Sequence, residues 1–266
     1  VTRDLSGLRI LITGASSGIG SCLAEEAANA GLRVALTARS ADRLQELAQT
    51  LTSRGADAIA VPADITSADE RARLLETITD RFGGLDVLVN NAGVGSQGFF
   101  TDSTPEIARQ VMEVNFFAPA ELIRAAVPIL TNGRQPAIVN VSSMCGRRAM
   151  AMWSEYSASK YALCGLSEAL RGEMVRFGID VLTILPGLTR TGLQPNLLSQ
   201  RPDMVINFKK GMEPQQVARA ILDSLRRNRT ETVVGFESRW ILRVNRFFPL
   251  MVDRIIGRFV RKNYTT

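Results

Sequence analysis

Tyr156 and Lys160 stand four residues apart in the run Tyr156-Ser157-Ala158-Ser159-Lys160, and Ser143 precedes the tyrosine by thirteen residues. On a helix, positions four apart lie one above the other, so this phenol and this ammonium can serve one site. Hydride addition to a carbonyl carbon places negative charge on the oxygen, and a site for it must hold that charge and supply a proton. Tyr156 is the candidate donor, Lys160 the cation that tunes it, and Ser143 the hydroxyl that fixes the carbonyl. A free phenol titrates near ~10. A neighbouring ammonium favours phenolate, so a lowered Tyr156 pKa is expected.

A second constellation lies near the front of the chain, Thr13-Gly14-Ala15-Ser16-Ser17-Gly18-Ile19-Gly20. Gly14 permits a tight turn, Gly18 lets backbone approach a pyrophosphate, and Gly20 allows close helix packing, with Ser16, Ser17 and Ile19 completing the loop. The helix that starts here offers free N–H groups and the positive end of its dipole to a phosphate. Short β-branched runs at 9–13, 34–37, 58–61, 87–90, 137–141 and 180–185 alternate with helical stretches at 18–30, 41–54, 67–82, 105–130 and 155–177. Regular alternation predicts an α/β doubly wound parallel sheet, Rossmann-like, of about seven strands with helices on both faces. Ligands of such a sheet sit at the carboxyl ends of its strands.

A chain of 266 residues, 45% apolar, can bury a full core in one domain. That domain is expected over 1–237, followed by a basic helical extension over 238–266. With no histidine, and with Cys22, Cys145 and Cys164 lacking ligand spacing, a metal site is not expected. Reduced thiols, no apolar run of ~18 residues and an N-terminus that enters a strand almost at once predict a cytoplasmic protein without a leader or spanning helix. The net charge is +6, but seven of the 32 basic residues and one of the 26 acidic ones fall in 239–266, leaving 25 of each sign elsewhere. The basic balance is therefore no sign that the body binds nucleic acid.

Together these residues resemble the short-chain dehydrogenase/reductase family of the single-domain type, over Leu8 to the strand near Val233. The resemblance rests on TGxxxGIG at 13–20, Asp64 after the third strand, and Asn90-Asn91-Ala92-Gly93 after the fourth. It continues through Asn115 in the long helix, Ser143, Tyr156, Lys160, Pro186-Gly187 and Thr191. It implies that Lys160 also holds the nicotinamide ribose, and that Asn115 bends its helix and holds a water relaying protons to Lys160. Asp64 and Ile65 would frame the adenine, Asn91 and Gly93 would line the adenosine side, and Thr189 and Thr191 would meet the carboxamide or phosphate. A homodimer or homotetramer through the helices at 105–130 and 155–177 is implied as well. The alternative is a catalytically silent dinucleotide-binding regulator or scaffold on the same fold, which would be expected to lack one of Ser143, Tyr156 and Lys160.

Cofactor choice is read at the end of the second strand, Thr37-Ala38-Arg39-Ser40. An acid there accepts both ribose hydroxyls of NAD, whereas a 2′-phosphate needs a cation. Ala38 followed by Arg39 predicts NADP(H) over NAD(H), although the glycine turn has Ser16 and Ser17 where many such relatives carry a second basic residue. A substrate lid is expected over 192–213, with Leu193, Leu197, Leu198, Met204, Val205, Ile206, Phe208 and Met212. Met144, Met150, Met152 and Trp153 stand between Ser143 and Tyr156. An apolar lid favours a lipid-like, steroid-like or xenobiotic ketone, aldehyde or secondary alcohol. Over 239–262, arginines alternate with aromatic and branched residues, which predicts two amphipathic helices that either lie on an anionic membrane or pack on the body or a second subunit.

Overall fold

Apolar runs too short for helices become strands, nine in the computed structural model, which describes residues 2–190, 197–200 and 210–264. They are β1 (Arg9–Thr13), β2 (Arg33–Thr37), β3 (Ala58–Ala60), β4 (Val87–Asn90), β5 (Gly95–Gln97), β6 (Ala137–Val141), β7 (Asp180–Pro186), β8 (Leu197–Gln200) and β9 (Glu231–Val234). Seven pair in the parallel order β3-β2-β1-β4-β6-β7-β9, while β5 and β8 form a separate parallel pair. Chain order reverses between β1 and β4, and the crevice opens where their carboxyl ends part.

Strands covered on both faces should be apolar throughout, and β4 and β6 are buried at every position. Ile10 and Ile12 face one layer, made by α1 (Gly18–Asn29), α2 (Ala41–Ser53) and α7 (Pro214–Arg226). Leu11 faces the other, made by α3 (Ala68–Phe82), α5 (Ala118–Leu130) and α6 (Ser154–Met174). Each fully buried Leu or Ile adds ~1.5–3 kcal/mol, so this two-sided core sets the sheet's register. Local signals mark the helix ends. Ser67 accepts from the Glu70 N–H at the start of α3, and left-handed Gly83 closes it.

The helix expected over 105–130 is not continuous. It runs as α4 (Pro105–Met112), a π-helical turn at Glu113–Phe117, and α5. Pro119 supplies the reason. It has no N–H to give the Asn115 carbonyl four residues back, and its ring crowds that carbonyl, so regular α geometry cannot pass. The β5–β8 pair was likewise not expected.

The last 29 described residues form α8 (Phe236–Phe247) and α9 (Pro249–Tyr264), broken where Pro249 lacks an N–H. Their inner sides pack on the body. Ser238 is buried beside Gly187 and donates to the Met144 sulfur at 3.4 Å, Arg148 pairs with Asp253 at 2.6 Å, and Tyr264 meets Phe99 edge-on at 5.9 Å.

Candidate active site

The turn after β1 and the turn after β4 are tied together before they hold anything else. Thr13 Oγ1 accepts from the N–H groups of Asn91 and Ala92 at 2.9 and 3.0 Å, and Asn91 Nδ2 donates back to the Thr13 carbonyl at 2.9 Å. Gly20 is where close approach matters most, since a Cβ there would lie 2.3 Å from the Gly14 carbonyl oxygen. Ser17, at the N-cap of α1, makes no capping bond with its side chain, and the first turn carries no acid. The helix therefore turns uncompensated N–H groups and its positive end toward the crevice.

That crevice is a cavity of about 960 Å³, at the upper end of the ~300–1,000 Å³ of ordinary ligand pockets. Gly14, Ser16, Ser17, Gly18, Ile19, Arg39, Ser40, Asp64, Ile65, Asn91 and Gly93 line it. Ser143, Tyr156, Lys160, Pro186, Gly187 and Thr189 line it as well. Residues scattered over some 175 positions are thus brought to one wall. Gly20 and Asn115 stand behind it. Thr191 lies outside the described residues, as do Leu193, Met204, Val205, Ile206 and Phe208 of the expected lid. Of the remaining lid residues, Leu197 and Leu198 fall in β8, and Met212 exchanges backbone bonds with Leu188 and Arg190.

Ser143 caps a short 3-10 turn after β6, accepting from the Cys145 N–H at 3.1 Å, and its hydroxyl stands close enough to that of Tyr156 to favour the phenolate. The Tyr156 ring packs edge-on against Trp153, centroids 5.5 Å apart. Lys160 is buried one helical turn on, donates to the Val141 carbonyl at 3.2 Å, and lies 5.7 Å from the tyrosine ring centre. Tyr161 is exposed and outside the cavity wall. Asn115 is fully buried in the π turn. Its Oδ1 accepts from the Val94 N–H at 2.9 Å, while Nδ2 donates to the Val94 carbonyl at 2.9 Å and to Ser159 Oγ at 3.0 Å. A Cβ on Gly93 would sit 3.1 Å from Asn115 Oδ1 and 3.5 Å from Lys160 Nζ, so that glycine keeps the two groups within reach of each other.

Electrostatics correct one expectation. Burial of the Tyr156 hydroxyl, with the Cys145 sulfur close by, pushes the phenol well above its usual value, and the nearby Ser143 hydroxyl offsets this only in part. Desolvation outweighs any pull from Lys160, which is itself brought down to about 8 by burial. At neutral pH the pair is a protonated phenol beside an ammonium. Asp64 keeps its charge: burial raises its pKa, but bonds from the Thr66 backbone and hydroxyl, with Arg39 nearby, carry it below the ordinary value.

The lowered Lys160 has a consequence for stability. Its folded pKa lies below the unfolded one, so the charged form costs most below pH ~8, and the cost is relieved as pH rises toward 10.5. At ~1.4 kcal/mol per tenfold change the cost is on the order of 3 kcal/mol at pH 7 and about 1 kcal/mol at pH 10. Lys160→Met is therefore expected to raise the calorimetric Tm by several degrees at pH 7 and by much less at pH 10. A Tm at pH 7 that stays put or drops would contradict this.

Several wall residues were not found from sequence. Arg43 lies four residues beyond Arg39, in the first turn of α2, a spacing that was available to be read. Gln97 is almost wholly buried and its Oε1 has no partner among the described residues, while Ser238, Ile241, Phe259 and Tyr264 come from the chain's end. These last five carry no local signal.

Comparison with known proteins agrees with this geometry. The family model for short chain dehydrogenases matches residues 9–202. The uncharacterized oxidoreductase YxnA of Bacillus subtilis is 33% identical over 262 residues, 97% of this chain and 74% of its own. The ketoacyl reductase HetN of a Nostoc species is 30% identical over 263 residues, 96% and 90% of the two chains. A short chain dehydrogenase/reductase from Burkholderia phymatum in complex with NAD is similar in fold, with a TM-score of 0.84 at 24% identity over 92% of this chain and 94% of that one.

Proposed function

The chain belongs to the short chain dehydrogenase family, and on that footing we propose that it transfers hydride between NADP(H) and the carbonyl or secondary alcohol of an apolar substrate. The observation that carries the reading is one cavity wall on which Ser143, Tyr156 and Lys160 meet beside the glycine turn. The residues present fit a dinucleotide. The open N-terminus of α1 with Ser16, Ser17 and Gly18 takes the pyrophosphate, Asp64 and Ile65 the adenine, Asn91 and Gly93 the adenosine side, and Lys160 the nicotinamide ribose. Pro186, Gly187 and Thr189 take the carboxamide, with Thr191. Arg39, Ser40 and Arg43 take the 2′-phosphate, and Arg43 stands in for the basic residue that the glycine turn lacks.

The bound cofactor supplies or accepts the hydride. Tyr156 keeps its proton at neutral pH and gives it to the carbonyl oxygen, which Ser143 holds by a second hydrogen bond. Lys160 supplies the positive charge that makes the departing phenolate less costly. Asn115 is a positioning residue. It braces the Val94 turn and Ser159, and the remaining lone pair of Oδ1 suits a water relaying a proton toward Lys160. Met144, Met150, Met152, Trp153, Leu188 and Ile241 give the substrate end an apolar lining, with Gln97 as an acceptor for a polar group away from the carbonyl. Exposed Phe117, Tyr161 and Val175 on the helical face support assembly through 105–130 and 155–177.

The test is NADPH oxidation against carbonyls graded from short aldehydes to long-chain and polycyclic ketones, with NADH in parallel. Turnover that rises with apolar bulk and prefers NADPH is the expected result. Tight NADPH binding with no turnover on any member would favour the silent regulator instead.

A further inference from the structure

α8 and α9 are each two-faced. On α8, Ser238 is buried and Ile241 lines the cavity, while Phe236, Trp240 and Phe247 turn outward, 75%, 49% and 72% exposed. At 100° per residue these three fall within about 40° of one another. Tyr264 of α9 lines the cavity, and Leu250 and Ile255 face outward, 68% and 55% exposed. Phe259 belongs to both surfaces. It lines the cavity yet is 53% exposed, so the mouth opens at the edge of the apolar face.

Cations border that face. Arg239, Arg243 and Arg246 flank the α8 stripe on one side, and Arg254, Arg258 and Arg261 flank the Met251-Ile255-Phe259 stripe of α9 in the same sense. Neither acid of these helices joins them, since Glu237 lines the cavity and Asp253 is held by Arg148. This pairing of features selects the occupant. A second copy seated here by a two-fold axis would bring like charges face to face. An anionic bilayer satisfies both features, with aromatic and branched side chains at the acyl boundary and arginines among the phosphates. No described helix is long and apolar enough to cross a membrane, so the contact lies in the surface plane.

We propose that α8 and α9 seat the protein on an anionic membrane surface, and that the mouth at Phe259 takes its substrate directly from the lipid. The second half rests on the reading of the cavity as a substrate site. Turnover of a water-soluble ketone tests that reading, whereas vesicle binding tests this one.

The full chain is mixed with vesicles of phosphatidylcholine, with and without phosphatidylserine, and followed by sedimentation and tryptophan emission. The chain has two tryptophans and Trp153 is buried, so a blue shift on binding reports Trp240. Binding is expected only with the anionic lipid, weakening with salt and by about five-fold for each of Arg246→Ser and Arg254→Ser. Phe247→Asp with Ile255→Asp is expected to abolish binding and to lower turnover of a vesicle-dissolved ketone at least tenfold, leaving the soluble ketone unaffected. Failure of the wild type to bind anionic vesicles would overturn the proposal, as would binding that survives the double substitution. So would light scattering in which the same substitutions dissociate an oligomer that ignores vesicles, since the face would then belong to a second copy.

Discussion

Tyr156→Phe is expected to lose about three orders of magnitude in kcat while keeping its affinity for NADPH. A positioned general acid contributes ~10²–10⁴-fold, and Tyr156 is the described wall residue whose hydroxyl is carried one helical turn from Lys160 on α6. The substitution removes one oxygen only. The phenyl ring retains its edge contact with Trp153, and the nucleotide end of the cavity does not involve the hydroxyl. Burial that holds the phenol protonated also means that the wild-type reduction rate should not fade through neutral pH for want of a proton. The measurement pairs steady-state turnover on a soluble ketone with NADPH fluorescence titration. Unchanged turnover would remove Tyr156 from the mechanism, and joint loss of turnover and NADPH binding would point to structural damage.

Arg39→Asp is expected to shift the NADPH-to-NADH ratio of kcat/KM by about two orders of magnitude toward NADH. A hydrogen bond to a charged group is worth ~1.5–3 kcal/mol, and the substitution also sets a carboxylate against a 2′-phosphate. The effect is bounded because Arg39 is exposed and partly screened, and because Arg43 remains on the same wall. Arg43→Ser alone should therefore move the ratio less. The carboxylate would also stand near Asp64, so the gain for NADH should be smaller than the loss for NADPH. An unaltered ratio would show that the 2′-phosphate is not recognised at the end of β2.

Much of the candidate site was legible because its signals are local. Gly14, Gly18 and Gly20 answer to a single turn, Tyr156 and Lys160 to a single helix, and Arg39 to the end of a strand. The break in the helix at Asn115 was also written locally, in Pro119; the family resemblance implied a bend at Asn115, but the helix was still drawn as one element over 105–130. The apolar residues of 193–208 mostly lie outside the described structure, so the expected lid stays an expectation from sequence.

Alternation of apolar runs with amphipathic stretches determined the doubly wound sheet, because hydrophobic periodicity and strand length act within a few residues. What only the tertiary structure decided are contacts between positions far apart. The chain's end reaches back to the cavity through Ser238, Ile241, Phe259 and Tyr264, and buried Gln97 lines the same cavity. The direction of the Tyr156 shift belongs with these. A pKa answers to everything packed around the hydroxyl, and the burial that raises it, with the Cys145 sulfur adding to the rise, is made by the folded surroundings as a whole, whereas sequence spacing showed only the ammonium one turn away.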